Sequence, residues 1–305
     1  MKLFSKNKAL EYVVVTITQQ SYRIHHLKNQ DNQLQQLAFG EFEYESIEAL
    51  QKQFTRWIRK SQLKGLPCRW VLNRELYQTF QIDPPNVETK EMSEAIRWQI
   101  KDLIEQPLSD MLVSHYQPEF PEEQRSQLVA VVVEKALIEA LIELTSDANL
   151  ILEVIDIEEL TMGHALQPYL AEEKVVGYIG EDKGGLMFSF YLGHALAFSR
   201  YKKGKHLPNT LLEEFSLEEE KETLEESFLL EAQRTLDYVV SQIFRRPIDA
   251  ILFHPTASED NYLADILKQI TEVEVILVSP EITQSNPEWP LPSLAESGCL
   301  FRQGD

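Results

Sequence analysis

The stretch VVGYIGEDKGGLMFSFYLGHALAFSRYKKG, residues 175–204, carries the strongest hint of chemistry in the chain. Glycines cluster straight after an apolar run, a pattern that lets backbone N–H groups close around a phosphate. A phosphate loop needs Gly-x-x-x-x-Gly followed by Lys and Ser or Thr, with a helix next. Gly180 and Gly185 keep that glycine spacing, but Leu186 and Met187 stand where the lysine and the hydroxyl belong. The residues that follow read as a strand. The local reading is a hairpin turn whose glycines supply positive φ.

Other reactive residue types do not assemble either. The seven histidines form no HExxH and no Cys/His cluster. His25 and His26 are adjacent, so on a strand they point to opposite faces and cannot share a metal. Cys68 and Cys299 have no metal-type spacing, and two lone thiols fit a reducing compartment. No Gly-x-Ser-x-Gly elbow is present. Glu218, Glu219, Glu220, Glu222, Glu225 and Glu226 read as a solvated helix face. No catalytic group and no metal site is expected.

Composition narrows the function classes further. The chain has 305 residues, 43% of them hydrophobic and 10% aromatic, enough for one large or two medium domains with real cores. Lys and Arg total 29 against 49 Asp and Glu, a net charge of −20. Such a field repels phosphate backbones and anionic lipid, so nucleic acid is not an expected partner. No apolar run approaches the ~18 residues of a membrane-spanning helix, and no signal-peptide core follows Lys2, Lys6 and Lys8. A cytoplasmic protein is expected.

Hydrophobic periodicity supplies the elements. Residues 11–40 read as a meander of three strands, followed by a helix through Ile47, Leu50, Phe54, Trp57 and Ile58. CRWVLN and LYQTFQID are strands. Thr89 is the expected N-cap of a helix with the stripe Met92, Ala95, Ile96, Ile100, Leu103 and Ile104, ended by Pro107. MLVSHYQ and SQLVAVVV are strands, KALIEALIELTSDANL a helix, and ILEVIDIEEL a strand entering a helix.

The second half repeats the plan. Three strands lie between Val175 and Tyr201, then a long acidic helix or helix pair spans about Leu211 to Phe244. DAILF, a helix through NYLADILKQI and strand EVEVILV follow. Each half reads βββ-α-β-α-β, with extra elements inserted in the first. The expected domains are 1–155, with an inserted α+β subdomain at about 76–133, and 156–305. The proline-rich tail from SPEITQ onward is expected as a surface loop ending in a short closing helix near Leu294.

This duplication resembles the actin-like (ribonuclease H-like) two-domain ATPase fold. MSEAIRWQIKDLIEQPLSDMLVSHYQ, ILEVIDIEELTMGHAL, residues 175–204 with their closing Arg200 and Gly204, LLEAQRTLDYVVSQ and LAESGCLFR resemble segments of the PilM family of type IV pilus assembly proteins. The likeness is greatest to its MSHA-type branch, which is related to the cytoplasmic domain of the type II secretion protein GspL. The resemblance covers nearly the whole chain.

It implies a nucleotide site, and this sequence departs from that site at three loops. In the family's first hairpin an Asp and a Gly flank an aliphatic residue; here Thr16 and Thr18 stand in their places. The second Asp-x-Gly reads Tyr178-Ile179-Gly180, where only the glycine remains. In the third loop a Gly pair is replaced by His254-Pro255-Thr256, adding bulk and removing one backbone N–H. Mg²⁺ wants carboxylates and phosphate wants converging amides, so ATP and Mg²⁺ are disfavoured as cofactors.

The expectation is therefore a non-catalytic scaffold of a pilus assembly platform. The alternative is an active ATPase of the same fold, powering or regulating assembly. A sugar kinase would need a catalytic Asp and a Gly-rich adenosine loop, neither of which is found. The resemblance implies a single-pass, PilN-like inner-membrane partner, captured by its cytoplasmic tail beside the inserted subdomain. The assembly ATPase is a further candidate partner, and a homo-oligomer stays open.

One helix offers the capture site. On a wheel of ~100° per residue, Met92, Ile96, Ile100 and Leu103 fall together and Trp98 lies opposite, among Glu94, Asp102 and Glu105. Either Trp98 packs on the insertion's strands or a neighbouring domain, or it anchors a peptide whose basic residues meet Glu94 and Asp102.

Overall fold

Residues 10–30, 33–118, 127–182, 185–203, 218–254, 261–271 and 273–301 are described by a computed structural model. Pro255, Thr256, Lys183, Gly184, Gly204 and the three N-terminal lysines lie outside the described residues. The chain opens with strands β1 (Leu10–Ile17), β2 (Ser21–Gln30) and β3 (Gln33–Glu43), then helix α1 (Ile47–Lys60) and strand β4 (Pro67–Leu72). β5 (Tyr77–Ile82), α2 (Thr89–Ile100), β6 (Met111–Tyr116) and β7 (Leu128–Glu134) follow. α3 (Lys135–Asp147), β8 (Ile151–Ile157) and α4 (Glu158–Leu166) complete this half. The second half runs β9 (Val175–Asp182), β10 (Gly185–Leu192), β11 (Ala195–Lys203), α5 (Glu218–Tyr238), β12 (Ala250–His254), α6 (Asn261–Ile270) and β13 (Glu274–Leu277). β14 (Ile282–Gln284) and α7 (Leu294–Gly298) end it.

Two of the sheets share one plan. In the first unit the order β3-β2-β1-β4-β8 has β1, β2 and β3 antiparallel and β4 and β8 added in parallel. In the second, β11-β10-β9-β12-β13 repeats that order and those directions. The repeated βββ-α-β-α-β reading is realised strand by strand. β1 and β4 are central, so their β-branched and aromatic side chains are buried on both faces.

In the first unit α1 starts at Ser46, whose hydroxyl accepts the Ala49 N–H. Its Leu50, Phe54 and Ile58 pack on Val13, Val15 and Trp70. Trp70 is fully buried, with its indole N–H donating to Thr145 Oγ1 at 2.8 Å, a satisfied tryptophan rather than a strained one. In the second unit Phe228, Ala232, Leu236 and Val239 cover Ile179, Phe188, Phe190 and Ile251.

The insertion forms its own three-stranded sheet, β5-β7-β6. Ile96 and Ile100 of α2 pack on Met111, Leu128, Ala130 and Val132, covering one face. Val131 and Val133, alternating on β7, join the main core of the first unit instead.

Three local expectations change. Thr89 is not the N-cap: it is the first helical residue, and Glu88 holds the cap position without a side-chain bond. α2 stops at Ile100, before Pro107, and a turn closed by Leu103 N–H to Ile100 O carries Leu103 out to 53% exposure. The tail is also more than a surface loop.

That tail corrects the domain division. The first unit takes the described residues within Met1–Gln117, Gln127–Leu166 and Pro280–Asp305, the second those within Pro118–Ser126 and Gln167–Ser279. A single break after residue 155 misses both α4 and the returning tail. β14 pairs in parallel with β3 and so covers an otherwise open sheet edge. α7 packs on α4 so closely that a Cβ at Gly298 would lie 1.8 Å from Thr161 O. Only glycine permits that approach.

Candidate functional site

The hairpin between β1 and β2 is the first place where a phosphate would sit. Thr16 is buried in β1, between Arg23 of β2 and Val71 of β4. Thr18 closes the turn: its hydroxyl donates to Ser21 O at 3.1 Å and accepts from the N–H groups of Gln20 and Ser21, at 3.2 and 2.9 Å. The Gln19 N–H donates to the carboxylate of Glu75 at 2.6 Å. Each amide of the turn thus has a partner, and one partner is an anion. A phosphate arriving here would meet occupied donors and a like charge.

The other loop positions lie in the second unit. β9 and β12 pair so that Tyr178 faces Leu252 and Gly180 faces His254. Tyr178 and Gly180 share one face of β9, and the phenol lies over the glycine: a Cβ on Gly180 would be 2.2 Å from Tyr178 Oη. The space that glycine would leave for a ligand is filled by this chain's own ring. His254 Nδ1 contacts Val278 O at 2.8 Å, and burial pushes the imidazole's pKa down, which favours the neutral ring. Among the described residues no group of three or more His, Cys, Asp or Glu converges to hold a metal.

Trp98 is 65% exposed, while Ile96 and Ile100 on the other side of α2 are fully buried. It is not a member of the apolar cluster that α2 forms with the insertion's strands. Glu94 and Asp102 are exposed beside it in sequence, as is Glu105. Lys101, which the wheel argument left out, holds its ammonium 5.1 Å from the indole centroid. Arg97 donates to Leu108 O and Met111 O, at 2.7 and 3.1 Å, tying α2 to the start of β6. The helix that presents Trp98 is thereby held rigid.

Sequence reasoning missed the root of the insertion altogether. Glu159, at the start of α4, is buried. Its carboxylate accepts from the Tyr77 phenol and lies 3.1 Å from Arg74 Nε. Arg74 also donates to Tyr77 O and Thr79 Oγ1, at 2.8 and 3.0 Å. Burial raises the pKa of Glu159, and Arg74 and Tyr77 offset this only in part. Nothing in the sequence separated Glu159 from an ordinary first-turn acid.

This geometry defines a protein of the actin-like ATPase fold. At 16% identity the chain is similar to the PilM–PilN type IV pilus biogenesis complex, over 96% of this chain and 97% of that one, with a TM-score of 0.68. A Bacteroides thetaiotaomicron protein of actin-like ATPase fold and unknown function is 11% identical, over 99% and 98% of the two chains, at TM-score 0.54. The cytoplasmic domain of EpsL, an inner-membrane component of the Vibrio cholerae type II secretion system, is 11% identical, over 97% of each chain, at 0.51. No protein-family model and no curated protein sequence matches.

Proposed function

We propose that this protein is a non-catalytic, actin-like scaffold of a type IV pilus assembly platform of the MSHA type, in the manner of MshI. It docks the cytoplasmic tail of a PilN-like, single-pass inner-membrane protein through the Trp98 face of α2. The single observation that carries this reading is Trp98 itself: a large aromatic side chain, 65% exposed, on a helix locked down by its opposite face. An exposed tryptophan among carboxylates suits a segment with an apolar residue flanked by Lys or Arg. An incoming cation would take the place Lys101 now holds over the indole.

The whole-chain likeness to a PilM–PilN complex supports the same class of partner. Closed turn amides at Thr18 and the phenol over Gly180 support a role without nucleotide turnover. Among the described residues no helix is long and apolar enough to cross a membrane, and the net charge opposes adsorption to anionic lipid. Attachment to the inner membrane is then through the partner. The test is capture from solubilised membranes, followed by fractionation of cells lacking the captured single-pass protein. Release of the scaffold from the membrane fraction supports the reading; unchanged fractionation overturns partner recruitment.

A further inference from the structure

His25 of β2 is fully buried, with its ring between Phe39 of β3 and the returning tail. The hydrogen bonds around it fix where its proton sits. Two backbone carbonyls of the tail can only accept. Trp289 O takes a hydrogen from Gln284 Nε2 at 2.6 Å, and Pro290 O takes one from Gln36 Nε2 at 3.2 Å. Gln284 gives its other hydrogen to Gln36 Oε1 at 2.9 Å. Both amides are thereby fixed in orientation, and the remaining hydrogen of Gln36 Nε2 points at His25 Nδ1, 3.0 Å away. A donor faces Nδ1, so Nδ1 is the lone-pair nitrogen. The ring is neutral, with its proton on Nε2, 3.3 Å from Glu296 Oε2.

This arrangement has no place for a second proton. On Nδ1 it would point into the NH2 group of Gln36. Turning that amide over would accept the proton, but it would set an oxygen against Pro290 O and an NH2 against the Gln284 donor. The charged group facing the ring is Glu296 of α7, and Arg23, two residues back on β2, lies 3.1 Å from that carboxylate's other oxygen. Glu296 favours a cation at His25, and the Arg23 guanidinium already beside it opposes one. Val14 of β1 and Phe39 of β3, which pair with His25 across the sheet, carry no charge. Charging His25 therefore costs both side-chain ties between β3 and residues 284–290.

We infer that His25 is an acid-sensitive clasp for the stretch of tail that carries β14. The neutral ring holds Gln36, Gln36 holds Gln284 and Pro290, and β14 stays paired along β3. A proton gained by His25 loosens residues 282–290 and uncovers the β3 edge, a local opening rather than global unfolding. α7 keeps its place, because Leu294, Ala295, Cys299 and Leu300 are buried and Gly298 lies close against Thr161 O. The clasp does not depend on the Trp98 reading, which concerns α2 and a partner.

Histidine is the side chain that ordinarily gains its second proton between pH 8 and pH 5. The test is hydrogen exchange of the full chain at pH 7.5 and pH 5.5, corrected for the intrinsic rate at each pH. At pH 5.5 the amides of residues 282–290, among them Ser285 N–H on Gln36 O, should lose about tenfold in protection. Those of α1 and α7 should keep theirs. His25→Asn places an amide near the Nδ1 position that does not titrate, and should show no such loss. Gln36→Leu should show the loosened stretch at both pH values. Nitrogen-15 NMR of labelled histidines, with the His25 signal assigned from its absence in His25→Asn, should find the Nε2–H tautomer at pH 7.5. Three results overturn the inference: protection of 282–290 that is the same at both pH values, an equal loss in His25→Asn, or an Nδ1–H or doubly protonated His25 at pH 7.5.

Discussion

The guanidinium of Arg23 lies 3.1 Å from the carboxylate of Glu296, so the second strand of the chain and its last helix meet at an ion pair. Glu296 is fully buried. Its second oxygen is 3.3 Å from His25 Nε2 and accepts the Ser293 N–H at 2.7 Å, completing a capping box at the start of α7. His25 in turn meets Gln36, which also donates to Pro290 O and accepts from Gln284. The tail is thus tied to the first unit through one polar network.

That network makes stability depend on acid. Burial works against the Glu296 carboxylate, yet Arg23, His25 and the Ser293 N–H hold its pKa far below the usual range. Because the folded value lies below the unfolded ~4.3, its contribution is present above about pH 4.3 and is lost as pH falls through the folded value. Glu296→Gln should cost about 3 kcal/mol at neutral pH, as expected when one partner of a buried pair is removed. The gap between variant and parent should narrow below about pH 4. Thermal melting across pH 3–8 reads both, and a gap independent of pH would refute the assignment.

Tyr77→Phe should lower stability by about 1–3 kcal/mol, because it leaves the buried Glu159 carboxylate without its phenol donor. The raised folded pKa of Glu159 gives a second signature. The folded state holds that proton more readily than the unfolded one, so this residue's contribution declines as pH rises from ~4.3 through the folded value. The loss caused by Tyr77→Phe should therefore grow over the same rise. Urea unfolding at pH 5 and pH 8 is the measurement.

Millimolar Mg-ATP should leave the melting temperature unchanged. A ligand at 100 times its Kd adds ~2.7 kcal/mol, which a melt detects readily. The occupied amides at Gln19, Gln20 and Ser21 and the phenol over Gly180 leave it little to bind. A Mg²⁺-dependent upward shift would restore the active-ATPase reading.

Trp98→Ala should abolish capture of the partner tail while costing no more than about 1 kcal/mol of stability, since the ring is exposed and its cation–π contact with Lys101 is worth ~0.5–1 kcal/mol. Retained capture, or a large fall in melting temperature, would return Trp98 to a structural role.

The duplication was legible because strand and helix periods are local properties: β-branched runs at β1 and β9 and the three-four spacing of α1 announce themselves residue by residue. The departures at Thr16, Tyr178 and His254 were likewise visible as residue types, and the wheel of α2 set Trp98 opposite the apolar stripe, while only the packed structure decided that this side is exposed. What the sequence alone could not decide was where side chains from distant elements meet. Glu75 on the Gln19 amide, Glu159 under Tyr77 and Arg74, and the tail's return through Glu296 to Arg23 each join elements far apart in the chain. A lone Glu in a helix's first turn looks the same whether it faces water or a guanidinium. Burial settles which, and burial is a property of the packed layers, not of the residue's neighbours in sequence.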